Sequence, residues 1–434
     1  MSNSYDAIII GAGIIGANIA FEMAKRGKRT LNVDRNPASG YGSTANSCAI
    51  IRTYYSTFEG CAMAFEGTRY WEQWNDYLGI EDERGNAIYH ECGCILLRTP
   101  ENNHLKEILA TADRLKIPYE VLDNAGLKQR LPVLDLQSFS PAKRPDDPEF
   151  GKSNGEMIEG AAWFPQGGYI SDPQLATHNL QRAAEKHGAA FRFNASVAEI
   201  RQEDGRVAGI TLDDGTRLDA PVVVNVAGPH SSVINRMAGV EAGMNIKTRA
   251  LRHEVAHVPS PVGFDFEKDG TIFSDNDTCA YLRPEVGNHI LVGSEDPDCD
   301  EREWVDPDDF NRALTDQTRT LALRAAQRVT GLPIADSVKG VVDLYDVTDD
   351  WIPIYDKSDL PGFYLAIGTS GNQFKNAPVA AVMMAELIEK CEAGHDHDAD
   401  PVSVYLEQIG ETVSMKFCSR LREVNRNSSF SVLG

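Results

Sequence analysis

Short apolar runs without alternation punctuate this chain, and three of them stand out: Ala7–Ile10, Val222–Asn225 and Phe363–Ile367. A strand buried on both faces reads this way, so these runs predict strands of a covered, mostly parallel sheet. After the first run the period changes. Ile15, Ile19, Met23 and Ala24 recur at helical spacing, Gly27 ends that helix, and a second strand follows at Thr30–Val33. Phe58, Ala62, Phe65, Trp71, Trp74 and Leu78 predict a further helix whose aromatic residues face a core. Helices are also expected over 101–115, 175–187 and 377–391. Strands are expected over 88–98, 117–122 and 190–193, with a hairpin over 197–212 that turns at Asp204-Gly205. Several alternating strands fill 247–296. Residues 136–160, rich in Pro, Lys, Asp and Gly, read as an inserted surface loop. No internal repeat is evident, and the pattern alternates between two domains at least three times.

The first strand runs into Gly11-Ala12-Gly13-Ile14-Ile15-Gly16, and the second ends at Asp34. The order strand, G-x-G-x-x-G, helix, strand, acid predicts a dinucleotide site. Gly11 permits the tight turn, Gly13 lets phosphate approach the backbone, and Gly16 lets helix and strand pack closely. The helix N-terminus offers N–H groups to phosphate, and Asp34 offers acceptors to a ribose diol.

At 434 residues the chain exceeds a single core, which agrees with two domains. Its net charge of -22 argues against nucleic acid as a partner and reads as a solubility or salt-tolerance feature. The acidic runs 296–303 and 306–309 are expected to be solvated loops. No apolar run approaches the roughly 20 residues of a membrane span, and the start lacks a signal-peptide pattern, so a cytoplasmic protein is expected. The eight cysteines are scattered without C-x-x-C spacing, which predicts free thiols and no metal centre. Cys92 and Cys94 are expected on one face of one strand, and His395-Asp396-His397-Asp398 in a solvated loop.

Several motifs now align. Ile50-Ile51-Arg52-Thr53-Tyr54-Tyr55, Asn225-Val226-Ala227-Gly228 and Gly368-Thr369-Ser370-Gly371-Asn372-Gln373-Phe374-Lys375 occur in that order behind the glycine motif. The chain resembles the FAD-dependent amine and amino-acid oxidoreductases typified by D-amino-acid oxidase, glycine oxidase and monomeric sarcosine oxidase, with the sarcosine oxidase branch fitting best. The resemblance implies an α/β fold: a Rossmann-like FAD-binding domain of glutathione reductase type, with an interleaved α+β substrate domain built on a mixed antiparallel sheet. Residues 1–86, 161–240 and 336–434 would form the FAD-binding domain with C-terminal helices, and 87–160 and 241–335 the substrate domain.

The resemblance also implies roles. Gly11, Gly13, Ile15, Gly16, Asp34 and Arg35 would hold the ADP half of FAD, and Ser43 and Thr44 the pyrophosphate or ribityl chain. Val197 would offer backbone groups to adenine, and Ala227 and Gly228 would close over the cofactor. Gly368, Gly371, Asn372, Gln373, Phe374 and Lys375 would lie along the flavin. Arg52 and Lys375 match the pair that clamps the substrate carboxylate, Tyr281 matches an active-site tyrosine, and His253 is a candidate proton acceptor. Two departures matter. The segment Val342-Asp343-Leu344-Tyr345 carries no flavin-linking cysteine, so FAD is expected to be non-covalent. Leu291 falls where an oxygen-activating lysine is expected, which leans the reading from oxidase toward dehydrogenase.

The residues suit such chemistry. A guanidinium binds a carboxylate bidentately, and a second cation adds a point charge. The expected reaction is oxidation of a C–N bond in a small amino acid by hydride transfer to flavin N5, with a secondary or N-methylated, sarcosine-like amine first. A D-amino acid, a proline-like imino acid or a 2-hydroxy acid is the alternative substrate. A non-catalytic FAD-binding subunit is the alternative from another class. The electron acceptor is oxygen or a redox partner, and the sequence leaves the oligomeric state open.

Overall fold

In the computed structural model, which describes residues 4–433, the three apolar runs meet in one six-stranded sheet. Its order is Ile354–Lys357, Phe363–Ile367, Val222–Asn225, Ala7–Ile10, Thr30–Val33, Ala190–Arg192. Only the first strand is antiparallel to its neighbour. Every residue of Ala7–Ile10 and Thr30–Val33 is buried, which is why these segments show no alternation. Helix Ile14–Lys25 packs between helices Pro173–Lys186 and Ala377–Glu392 on one face. A three-stranded meander, Val197–Glu203, Arg206–Leu212 and Arg217–Asp219, joins the core on the other. Ala7–Ile10 lies where the strand order reverses, so its carboxyl end opens on the crevice that binds ligands in such sheets.

A second, nine-stranded sheet is mostly antiparallel. Its spine is the pairing of Thr248–Pro259 with Lys339–Thr348, followed by His289–Ser294, Ala280–Glu285 and Ile272–Asp275. Cys94–Leu97 joins Ile272–Asp275 in parallel, which makes the sheet mixed. Helix Asp316–Arg328 covers one face and closes an aliphatic core with it. A small sheet of Ile50–Ile51, Gly168–Ile170 and Tyr89–Glu91 lies beside these two.

Four expectations need correction. The segment 88–98 is two strands in two sheets, because Gly93 adopts φ +76° and Trp163 packs where its side chain would be. Cys92 and Cys94 therefore do not share a strand. The acidic run 296–303 is not solvated throughout. Asp300 binds both Arg324 and Arg144, Glu303 binds Arg252, and the mostly buried Asp296 faces His253. His397 is buried rather than solvated: its Nε2 lies 3.3 Å from Asp356, and its Nδ1 accepts the Val402 N–H. The loop 136–160 lies on the surface, but its root is fixed. Asp277 accepts from the Ser138 hydroxyl and the Phe139 N–H, and the buried Arg328 donates to the Gln137 carbonyl. Among the described residues, no helix is long and apolar enough to cross a membrane.

Candidate active site

A cavity of about 670 Å³ runs from the carboxyl end of Ala7–Ile10 to the face of the second sheet. That volume lies within the usual range of ligand sites, roughly 300–1,000 Å³. At its nucleotide end the glycines do what their spacing predicts. Gly11 has φ +119°, and a side chain there would overlap the Val226 carbonyl. A methyl on Gly13 would lie 3.1 Å from the Thr44 hydroxyl, and one on Gly16 would overlap the Gly11 carbonyl. The helix after Gly13 has no side-chain cap and no acid in its first turn. Its Ile14 N–H reaches Thr44 Oγ1 at 3.2 Å. Asp34 ties the turn together by accepting the Ala12 and Asn36 N–H groups, both at 2.8 Å. Each of its oxygens keeps a lone pair for a further donor. Ile15, Arg35, Ser43, Val197, Ala227 and Gly228 also line the cavity. Arg35 pairs with Asp308, and the Ser43 hydroxyl donates to the Leu344 carbonyl at 2.8 Å. The side-chain-free cradle and the uncapped, acid-free helix end fit the pyrophosphate of FAD.

The inner end holds the charged groups. Arg52, 7% exposed, follows the short strand Ile50–Ile51 and stands over the ring of Tyr55 at 4.5 Å. Its Nη2 donates to the Val432 carbonyl at 2.5 Å, and its Nε has no partner. Among the described residues no carboxylate forms an ion pair with it. Lys375, 4% exposed, donates to the Asn372 carbonyl at 2.8 Å and to the Tyr55 hydroxyl at 3.1 Å. Burial, reinforced by Arg52, holds its ammonium well below the usual range. Two buried basic side chains thus line one cavity, and among the described residues no carboxylate forms an ion pair with either, an arrangement that suits an anionic ligand group.

Tyr281 and His253 also reach the cavity wall. The Tyr281 ring crosses Gly293, its partner on the next strand, where any side chain would collide with it. Its hydroxyl meets Cys48 Sγ at 3.6 Å. His253 stacks on Tyr345 with ring centroids 4.2 Å apart and lies 3.4 Å from Asp296. Gly371, Asn372, Gln373 and Phe374 line the cavity, with Phe374 stacked on Trp71. Gly368 stands apart from the lining: its N–H goes to Asp346 at 2.6 Å, and Thr348 packs against it. Leu291 is likewise outside the lining and packs behind Tyr281 and Cys48. Cys48 lines the cavity, but burial pushes its thiol up, so it is a poor nucleophile.

Three groups at this end escaped the sequence reading. Tyr345 lies in Val342-Asp343-Leu344-Tyr345, a segment whose one sequence signal was its lack of a cysteine. Val432 and Leu433 come from the far end of the chain, with no local signal. Glu295, 6% exposed, accepts from the Ser274 hydroxyl through one oxygen, while the other has no partner. Its position directly after strand His289–Ser294 was the available clue.

The profile of the family described as FAD dependent oxidoreductase matches residues 6–387. Glycine oxidase of Geobacillus kaustophilus is 25% identical over 419 residues, covering 94% of this chain and 100% of that protein. Human peroxisomal sarcosine oxidase is 35% identical over 240 residues, covering 55% of this chain and 54% of its own. Among solved structures, L-proline dehydrogenase from P. horikoshii superposes with a TM-score of 0.73 at 21% identity, covering 90% of this chain and 95% of that one. At that identity the likeness concerns the fold.

Proposed function

The chain belongs to the FAD dependent oxidoreductases of the DAO family, and from that premise we propose that it oxidises a small amino acid at a C–N bond, with a secondary or N-methylated, sarcosine-like amine as the first substrate. It is an FAD-dependent amine or amino-acid oxidoreductase, and FAD is its cofactor. The observation that carries the substrate reading is the buried, unpaired guanidinium of Arg52 beside Lys375. Five N–H donors in a rigid fork match a carboxylate, and one of them is already given to Val432. A carboxylate bound there supplies the missing negative charge and draws a proton onto Lys375.

FAD, when bound, supplies the two-electron acceptor that this chemistry needs. The protein's part is to bind, orient and keep water out. Arg52 fixes the carboxylate, and the rings of Tyr54, Tyr281 and Tyr345 wall the space around the carbon and nitrogen. Tyr54 and Tyr281 are buried and Tyr345 is partly so, which makes this wall apolar except at the hydroxyl ends. The half-share of sequence held in common with human sarcosine oxidase at 35% identity supports an N-methyl amino acid as the first compound to try.

The test is anaerobic mixing of the yellow holoenzyme with N-methyl, cyclic, D- and L-amino acids and with 2-hydroxy acids. Bleaching by sarcosine or another secondary amino acid is the expected result. Bleaching by 2-hydroxy acids alone overturns the amine reading, and bleaching by nothing in the set favours a non-catalytic FAD-binding subunit.

A further inference from the structure

Glu295 is a buried carboxyl that the clamp does not use. Glu295 lines the same cavity as Arg52; its Oε1 accepts from the Ser274 hydroxyl, and its Oε2 is enclosed and has no hydrogen-bond partner. Asp346, the other buried carboxyl of the wall with a bare oxygen, differs: the hydroxyls of Ser231 and Thr248 act on it, and its other oxygen takes the Gly368 N–H. Glu295 has only Ser274. An enclosed carboxyl oxygen left without a donor costs free energy, on the order of 1–3 kcal/mol. A ligand that brings a donor recovers that cost.

The charged groups around Glu295 are few. Arg52 acts on it from the segment after Ile50–Ile51, Asp275 from the strand that also carries Ser274, and Asp296 from the next position in the chain. Arg52 and Glu295 are close enough to feel each other, yet among the described residues no ion pair joins them. The cavity wall therefore presents a cation and a carboxyl that are not paired with each other. That is the complement of a dipolar ligand, with a carboxylate at one end and an N–H at the other.

We propose that Glu295 is the amine-recognising catalytic residue: its Oε2 accepts an N–H of the substrate nitrogen and takes the proton that the ammonium must lose. The assignment rests on the amino-acid reading above. The step balances simply. The N–H bond of the ammonium breaks, an O–H bond forms on Glu295, and the electron pair stays on nitrogen as the free amine. The free amine is the form whose adjacent C–H can give up a hydride, which leaves the carbon and nitrogen as an iminium ion; FAD, when bound, would supply the two-electron acceptor. Burial pushes the Glu295 carboxyl up to about 8, against the pull of Ser274 and Arg52, so its carboxylate form, which grows in above neutral pH, is a stronger proton acceptor than an ordinary glutamate. The consequence for specificity is direct. A 2-hydroxy acid or a plain carboxylate satisfies Arg52 but brings no ammonium to Glu295.

The experiment compares nitrogen ligands with their carbon isosteres: sarcosine with butanoate, and L-proline with cyclopentanecarboxylate. Binding is measured by calorimetry on holoenzyme whose flavin is already reduced, so no turnover occurs. The wild type is expected to prefer the amine of each pair. Glu295→Gln is expected to lose about tenfold or more in amine affinity, to hold the carbon isostere within about twofold, and to keep its flavin content. Glu295→Asp is expected to restore part of the preference, which a packing defect does not do. An unchanged preference in Glu295→Gln, or an equal loss for both members of a pair, overturns the proposal. The two readings fail separately. If no amine bleaches the wild type, the amino-acid reading falls. If an amine bleaches wild type and Glu295→Gln at the same rate and affinity, only the role of Glu295 falls.

Discussion

Single side chains decide what this cavity binds. Arg52→Ala is expected to weaken a substrate carboxylate by about 2–5 kcal/mol, the range for removing one member of a desolvated charge pair. FAD content should stay normal, and titration of the holoenzyme with butanoate checks both points. Unchanged affinity removes Arg52 from the clamp. Lys375 yields a linkage prediction with a definite sign. Its ammonium is held well below the usual range in the empty cavity, by burial first and Arg52 second. An arriving anion raises it again, so binding takes up a proton and butanoate affinity falls as pH rises. Calorimetry in buffers of different ionisation enthalpy detects the uptake, and Lys375→Met should diminish it. Cys48, a buried thiol pushed up by burial, is not primed to link flavin. Acid precipitation should therefore release all the yellow colour, and colour retained in the pellet would point to Cys48. At this scale the sequence was most informative where a residue has one chemical meaning. The three glycines were marked by their spacing, whereas Arg52 was marked only by the family resemblance of its segment. Glu295 was not, because a lone acid beside an acidic run carries no mark of burial. Ser274, which holds it, lies 21 positions away.

Elements were legible where burial is uniform along them. Ala7–Ile10, Val222–Asn225 and Phe363–Ile367 are covered on both faces, so hydrophobic run length sufficed. The reading failed where one residue redirects the chain. Gly93 splits 88–98 through its positive φ and the ring of Trp163, and neither is visible in the local pattern. The acidic stretch after strand His289–Ser294 misled for a related reason. Its partners Arg324, Arg144 and Arg252 arrive from distant elements, so its charges look solvated in sequence and are paired in space. Strand register makes a sharp prediction on the second sheet. Gly293 lies opposite Tyr281, and the tyrosine ring occupies the space of a missing side chain. Gly293→Ala should displace that ring and lower kcat/KM by about tenfold or more, since small misplacements in a site are costly. Flavin content should be unchanged, because Gly293 is remote from the glycine cradle. Normal turnover in this variant would mean that Tyr281 only packs.

For the whole molecule, the net charge of -22 is the excess of acids left after acid–base pairs cancel, and it marks no particular ligand. Its stability should nevertheless carry a mark of the cavity. Burial raises Glu295 to about 8 and Asp346 to about 7, both above their unfolded values. A raised carboxyl contributes stability that is full below the unfolded pKa and is lost as pH climbs through the folded one. The melting temperature should therefore fall between about pH 4 and about pH 8, and Asp346→Asn should flatten that fall. A melting temperature constant over this window would contradict the assignment of both groups as buried acids. At this scale the mixed α/β class was legible from the alternating pattern, whereas the part that Val432 and Leu433 take in the cavity wall was not. The contact between Arg52 and the Val432 carbonyl spans 380 positions and rests on a backbone atom, which every residue possesses. Arg302 holds the same segment through the Phe430 carbonyl at 2.9 Å. That arrangement bears on time rather than affinity. A carboxylate that takes both outer nitrogens of Arg52 has to wait for the segment to let go. In stopped-flow mixing the observed rate should then level off at high ligand concentration, at the frequency with which Val432 releases the guanidinium. A rate that climbs in a straight line to the highest concentration would mean that the carbonyl and the ligand share Arg52 without either giving way.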